Sequence, residues 1–208
     1  MGHKLFSLKY WFFDLVRVTA AVPGLIWLRP RWRYESPEAR KTLRGGVLIA
    51  ANHTSHLDPV YTQFAVPYRR QRFVCMKEFF EKPGPRRFFK GFMCIPIDRE
   101  NVSMKTIREI TGALSEGWVV SIFPEGRITT GGTGMFKSGV ILMAAQSGCP
   151  IVPVYIQKPA RWWNRLKICI GEPVDVIRMC GGKPNLEQMK EISETLRAKE
   201  EGLRELCR

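Results

Sequence analysis

Val47-Leu48-Ile49-Ala50-Ala51-Asn52-His53-Thr54-Ser55-His56-Leu57-Asp58-Pro59 passes from five apolar residues into a polar run that ends in a proline. Five consecutive apolar residues suit a strand covered on both faces, as in parallel sheets. Asp58 is a good N-cap with Pro59 in the first helical turn, and Ser55 offers a cap for a helix that starts slightly earlier. Strand, loop and helix in this order predict an α/β unit. Working outward, strand-length apolar runs recur at 72–76, 93–97, 118–123, 151–156 and 166–170. Helical patterns lie between them: Met104, Ile107, Ile110 and Leu114 share one helical face before Gly117, and an apolar run from Phe136 to Ser147 stops at Gly148. This alternation predicts an α/β domain with a mostly parallel or mixed sheet flanked by helices.

The ends of the chain are organised differently. Leu5 to Leu28 is strongly apolar but interrupted by Lys9, Asp14, Arg17 and Pro23, which argues against a simple spanning helix of roughly 20 uninterrupted apolar residues. A secretory signal is also a poor match, because no small-residue cleavage site follows a clean apolar run. An amphipathic, membrane-interfacial helical segment over residues 1–34 is the expectation. The α/β domain is then expected over 35–182. A C-terminal helix over 183–208 is expected to pack on it through Leu186, Met189, Ile192 and Leu196, with its later turns around Lys199 frayed.

Composition narrows the partners. The chain has 208 residues, 45% of them apolar and 25% charged, which is enough for one globular core without staples. A formal charge of +14 points to an anionic partner such as nucleic acid, an acidic membrane or a phosphorylated substrate. Nine basic and three acidic residues fall in 1–45, and nine and three again in 69–99, whereas 183–208 holds six of each. Both basic segments are interleaved with aromatics, as in Arg31-Trp32-Arg33-Tyr34 and Arg86-Arg87-Phe88-Phe89-Lys90, a mixture that suits lipid headgroups and single-stranded nucleic acid alike. The six cysteines form no C-x-x-C and have no histidine at metal-ligand spacing, so free thiols facing the cytoplasm are expected and no metal is required.

Ligand sites in open α/β sheets lie at the carboxyl ends of strands, which is where His53 and Asp58 fall. A carboxylate five residues from a histidine can fix the imidazole tautomer and stabilise the imidazolium, so the pair can act as a general base. On composition alone His56 has an equal claim. A second constellation, Phe123-Pro124-Glu125-Gly126-Arg127-Ile128-Thr129-Thr130-Gly131-Gly132, follows another strand. It lacks the G-K-[ST] ending of a nucleotide loop, but its glycines let backbone N–H groups approach an anion. No G-x-S-x-G elbow is present, so a nucleophilic serine of that kind is not expected.

Four blocks, N-H-T-S-H-L-D-P at 52–59, I-P-I-D-R at 95–99, F-P-E-G-R at 123–127 and V-P-V-Y-I at 152–156, resemble in order and spacing those of the glycerolipid acyltransferase family, of the 1-acylglycerol-3-phosphate acyltransferase type. The resemblance implies an enzyme that moves a fatty acyl group from acyl-CoA or acyl-acyl carrier protein to the free hydroxyl of a lysophospholipid. It makes His53 the base and Asp58 its orienting partner, with His56 at a variable position. It further implies that Arg99, Glu125 and Gly126 bind the acceptor's glycerol and phosphate, that Pro153 shapes the site wall, and that Lys137 is a basic residue following the third block. Arg127 directly after Gly126 departs from the usual Thr-Arg-Ser continuation and is similar to enzymes that reacylate 2-acylglycerophosphoethanolamine, which leaves the acceptor open between lysophosphatidic acid and lysophosphatidylethanolamine. The implied partners are an anionic membrane surface on the cytoplasmic side, a lysophospholipid and the thioester donor as co-substrate, with no other cofactor and no nucleic acid. The rival from a different class is a non-catalytic basic module that binds lipid or nucleic acid.

Overall fold

The structure is a computed structural model that describes residues 10–41, 43–126 and 138–208. Its centre is a seven-stranded sheet in the order β1-β7-β6-β2-β5-β3-β4, where β1 is Arg31–Tyr34, β2 Val47–Ala51, β3 Gln71–Met76, β4 Ile95–Ile97, β5 Val119–Ile122, β6 Ile151–Gln157 and β7 Lys167–Ile170. The expected mixed sheet is present. Neighbours pair in parallel from β6 to β4; β7 runs antiparallel to β6, and β1 is parallel to β7. Every residue of β2 is buried, which accounts for its unbroken apolar run.

Helices cover the sheet: α1 Trp11–Leu28, α2 Asp58–Gln63, α3 Pro83–Gly91, α4 Met104–Ser115, α5 Ser138–Ser147, α6 Val176–Cys180 and α7 Leu186–Cys207. Ser103 caps α4 by accepting the Thr106 N–H, and Asn185 with Gln188 forms a capping box at the start of α7. One core face joins Leu48, Ile110, Leu114, Val120, Ile141 and Leu196. The other joins Ile49, Val119, Val152, Val154, Leu166 and Ile168. Alternate residues of β2 and β6 therefore serve opposite layers.

Three features depart from the sequence reading. The segment 1–34 is not wholly helical, because Arg31–Tyr34 forms β1 and pairs with β7 in register Arg31 to Lys167 through Tyr34 to Ile170. A four-residue strand with two arginines carries little apolar signal, and its pairing partner lies far along the chain. The turns of α7 beyond Lys199 do not fray, since Leu203 and Cys207 are buried. Finally, Cys169 and Cys207 form a disulfide rather than free thiols: α7 crosses β7 and brings the two Cα atoms to 6.0 Å, within bonding range.

α1 is long and apolar enough to cross a membrane by length and composition, with a mean hydropathy of 1.4. Its charges, however, turn toward the domain. Arg70 binds Asp14 through two hydrogen bonds of 2.7 Å, with both side chains buried, and Arg17 donates to the Pro67 carbonyl at 3.2 Å. Val22, Leu25, Ile26 and Trp27 remain exposed.

Glu200, on α7, is a carboxyl only 2% exposed. Burial, with Glu125 and Glu201 nearby, pushes its pKa up to about 8. An unfolded glutamate ionises near ~4.3, so the native protein holds this proton where the unfolded chain has lost it, and stability falls as pH rises from about 4.3 to about 8. Glu200→Gln should therefore raise Tm by a few degrees at about pH 8 and by much less at about pH 5, as read from thermal melts. Equal gains at both values would place the carboxyl in an ordinary ionised state.

Candidate active site

The carboxyl ends of β2, β3, β4 and β5 gather at one rim, which carries the His53 loop. Asn52 fixes the end of β2. Its side-chain amide donates to the Ile156 carbonyl at 3.1 Å and accepts the Ile156 N–H at 2.7 Å, extending the β2–β6 pairing with a side chain. The next residue leaves the sheet at a held position. His53 Nδ1 lies 3.0 Å from Asp58 Oδ2, and that oxygen also accepts the backbone N–H groups of Thr54 at 2.5 Å and Ser55 at 2.7 Å. An ionised carboxylate has no proton to give, so Nδ1 carries the hydrogen and Nε2 is the basic end of the ring. Helix α2 begins at Asp58, with Leu57 as its N-cap, so the carboxylate is turned back into the loop instead of capping the helix.

The imidazole stacks on Phe123 with ring centroids 4.3 Å apart and planes inclined by 20°. Phe123 begins the turn Phe123–Gly126, which closes with the Gly126 N–H on the Phe123 carbonyl at 3.0 Å and needs Gly126 at φ 68°. His53 and Phe123 line a cavity of about 780 Å³. Phe73, Cys75 and Met76 from β3, Val140 and Met143 from α5, and Phe13, Val16 and Ala20 from α1 supply further walls. This volume is in the range of ligand pockets, roughly 300–1,000 Å³.

The candidate residues divide by place. His53, His56, Arg99 and Gly126 line the cavity, with Arg99 in the exposed loop after β4. His56 is exposed and has no hydrogen-bonded carboxylate among the described residues. Glu125 is buried beside Gly126 but does not line the cavity; it lies within electrostatic reach of Glu200 and Tyr155. Pro153 pairs with Ala50 in the middle of β6 and sits against Gly171, where its ring leaves no room for a side chain; it too is absent from the cavity walls. Arg127 and Lys137 lie outside the described residues. Among the described residues no group of three or more His, Cys, Asp or Glu could hold a metal ion.

Asn52 and the α1 wall were missed by sequence reasoning. Asparagine after a strand carries no distinguishing signal, because its role depends on β6 lying alongside. The wall could have been suspected from Phe13, Val16 and Ala20, which repeat at helical spacing on the face that carries Arg17.

A histidine–carboxylate pair at the rim of a mixed α/β sheet, beside a cavity walled mainly by apolar side chains, is an arrangement suited to general-base chemistry. The acyltransferase family model matches residues 31–157, which is more than half of the chain. The 1-acyl-sn-glycerol-3-phosphate acyltransferase of Bacillus subtilis is 28% identical over 134 residues, covering 62% of this chain and 67% of the relative. The enzyme of the same name from Borreliella burgdorferi is 33% identical over 122 residues, covering 53% of this chain and 45% of its own length. This chain thus spans about two thirds of one relative and less than half of the other. The crystal structure of the 1-acyl-sn-glycerophosphate acyltransferase of Thermotoga maritima superposes with a TM-score of 0.64 at 22% identity, covering 95% of this chain and 80% of that one, and shares the fold. The chain belongs to the acyltransferase family and is an enzyme of that class.

Proposed function

We propose that the protein transfers a fatty acyl group from a thioester donor to the free hydroxyl of a lysophospholipid, with lysophosphatidic acid as the acceptor. The observation that carries this reading is the His53–Asp58 pair at the wall of a cavity large and apolar enough for an acyl chain. His53 Nε2 takes the proton of the acceptor hydroxyl as its oxygen attacks the thioester carbonyl. A C–O bond forms, the C–S bond breaks, and the imidazolium returns the proton to the departing thiolate while Asp58 stabilises its charge. The exposed apolar residues of α1 and the basic aromatic segments support a setting at an anionic membrane surface, with α1 lying in the interface. The names of the relatives favour lysophosphatidic acid. The Arg127 departure keeps lysophosphatidylethanolamine as a second acceptor to be tested.

A panel assay crossing both acceptors with acyl-CoA and acyl-acyl carrier protein tests the reading, and absence of transfer in every combination refutes it. Two described arginines line the cavity; Arg17 donates to the Pro67 carbonyl, and Arg99, in the exposed loop after β4, is the one suited to hold the acceptor phosphate. Arg99→Gln should raise the KM for the acceptor about tenfold while changing that for the donor little, consistent with loss of a charge-assisted hydrogen bond. Steady-state kinetics with each substrate varied separately decide it, and a defect confined to the donor would move Arg99 to the donor's phosphates.

A further inference from the structure

Between β6 and β7 the chain makes a turn that the His53 chemistry does not use. Arg161, Trp162, Trp163, Asn164 and Arg165 are all exposed in succession, and the Asn164 N–H bonds the Arg161 carbonyl at 2.9 Å to close the turn. Trp162 is 75% exposed and Trp163 50%. The two indoles meet edge to face at 5.5 Å, and the Arg161 guanidinium lies 5.2 Å from the Trp163 ring centre. From Lys158 to Lys167 there are four basic residues and no acidic one.

The turn is fastened at both ends to parts already described. Lys158 donates to the Thr54 carbonyl in the His53 loop at 3.2 Å. Arg29, just after α1, donates to the Trp163 carbonyl, and the Leu166 N–H bonds the Leu28 carbonyl at 2.9 Å. The end of α1, which carries the exposed Ile26 and Trp27, is therefore tied through Leu28 and Arg29 to the turn that carries the exposed tryptophans, and Arg29, Arg31 and Arg33 follow with no acidic residue among them.

Large exposed aromatics rimmed by cations mark an interaction surface, and tryptophan with arginine is the combination favoured in the headgroup layer of an anionic bilayer. We infer that the Trp162–Trp163 turn is a second membrane anchor, which works with α1 to seat the His53 rim on anionic phospholipid. The inference rests on the reading of this protein as one that works at a lipid surface. Tryptophan supplies the depth of insertion, and Arg161 and Arg165 supply selectivity for anionic headgroups.

Sedimentation of the full chain with phosphatidylcholine vesicles, alone or mixed with phosphatidylglycerol, tests it. Trp162→Ala with Trp163→Ala should raise the vesicle concentration for half-binding about tenfold or more, the order expected for withdrawing two large apolar groups. Arg161→Gln with Arg165→Gln should weaken binding about fivefold per charge, and only to the anionic vesicles. Because all four side chains are exposed, turnover of water-soluble short-chain substrates without vesicles should be unchanged, which shows that the variants are folded. Wild-type protein that ignores both vesicle types overturns the lipid-surface reading together with the anchor. Wild-type protein that binds while the tryptophan variant binds equally well overturns the anchor alone.

Discussion

His53→Ala should lower turnover by about 10³-fold, within the 10²–10⁴ that a positioned general base contributes, while leaving the far-ultraviolet circular dichroism unchanged. Asp58→Asn should cost a comparable factor for a different reason. The asparagine oxygen can still accept the Thr54 and Ser55 N–H groups that the carboxylate holds, so the loop keeps its shape. A neutral amide, however, no longer stabilises the imidazolium formed in the transition state. The acceptor KM should change much less than turnover in both variants. His56→Ala should be mild, since His56 is exposed and has no carboxylate to orient it among the described residues. Loss of activity in His56→Ala with retention in His53→Ala would reverse the assignment.

The second large effect is on stability. Asp14→Ala leaves Arg70, only 5% exposed, as a buried cation without its carboxylate, and breaking such a pair from one side costs about 3–5 kcal/mol. For a domain of this size the melting temperature should fall by about 10 °C. α1 should also lose its seat, and because Phe13, Val16 and Ala20 wall the cavity, turnover of long-chain donors should fall further than that of short ones. Replacing both partners, Asp14→Leu with Arg70→Met, removes the desolvation penalty along with the pair and should recover most of the stability. Thermal melts of the single and double variants measure this. An unchanged melting temperature in Asp14→Ala would show that the buried pair does not hold α1.

How much of this was legible in the chain depended on whether a feature was local. β2 could be read directly because every one of its residues is buried and apolar, and α4 because its apolar face repeats at helical spacing before Gly117. The His53–Asp58 contact could be anticipated because the two residues share a six-residue loop. Asp14 and Arg17 were read as charges interrupting an apolar run, whereas the structure turns both inward, and Arg70 lies 56 residues from its partner. The cavity could not be mapped at all, because its walls come from segments between Phe13 and Met143 that only the sheet order brings together. The Cys169–Cys207 bond has the same cause, since two cysteines separated by 38 residues give no sign that a helix returns across a strand.

The reversed pair β7 and β1 has a geometric consequence for where the chain's first helix can stand. Suppose both strands ran in the direction of β6, as a uniformly parallel sheet would require. Arg31 would then begin β1 at the amino rim, and α1, which ends three residues earlier at Leu28, would be delivered to the side of the molecule away from His53. Four residues of strand span about 13 Å, so the displacement would exceed the thickness of a helix. Reversing two edge strands brings the beginning of the chain back to the rim where β2 ends. The polarity of two short strands thus decides whether the apolar helix ends at the same rim of the sheet as His53 or at the opposite one.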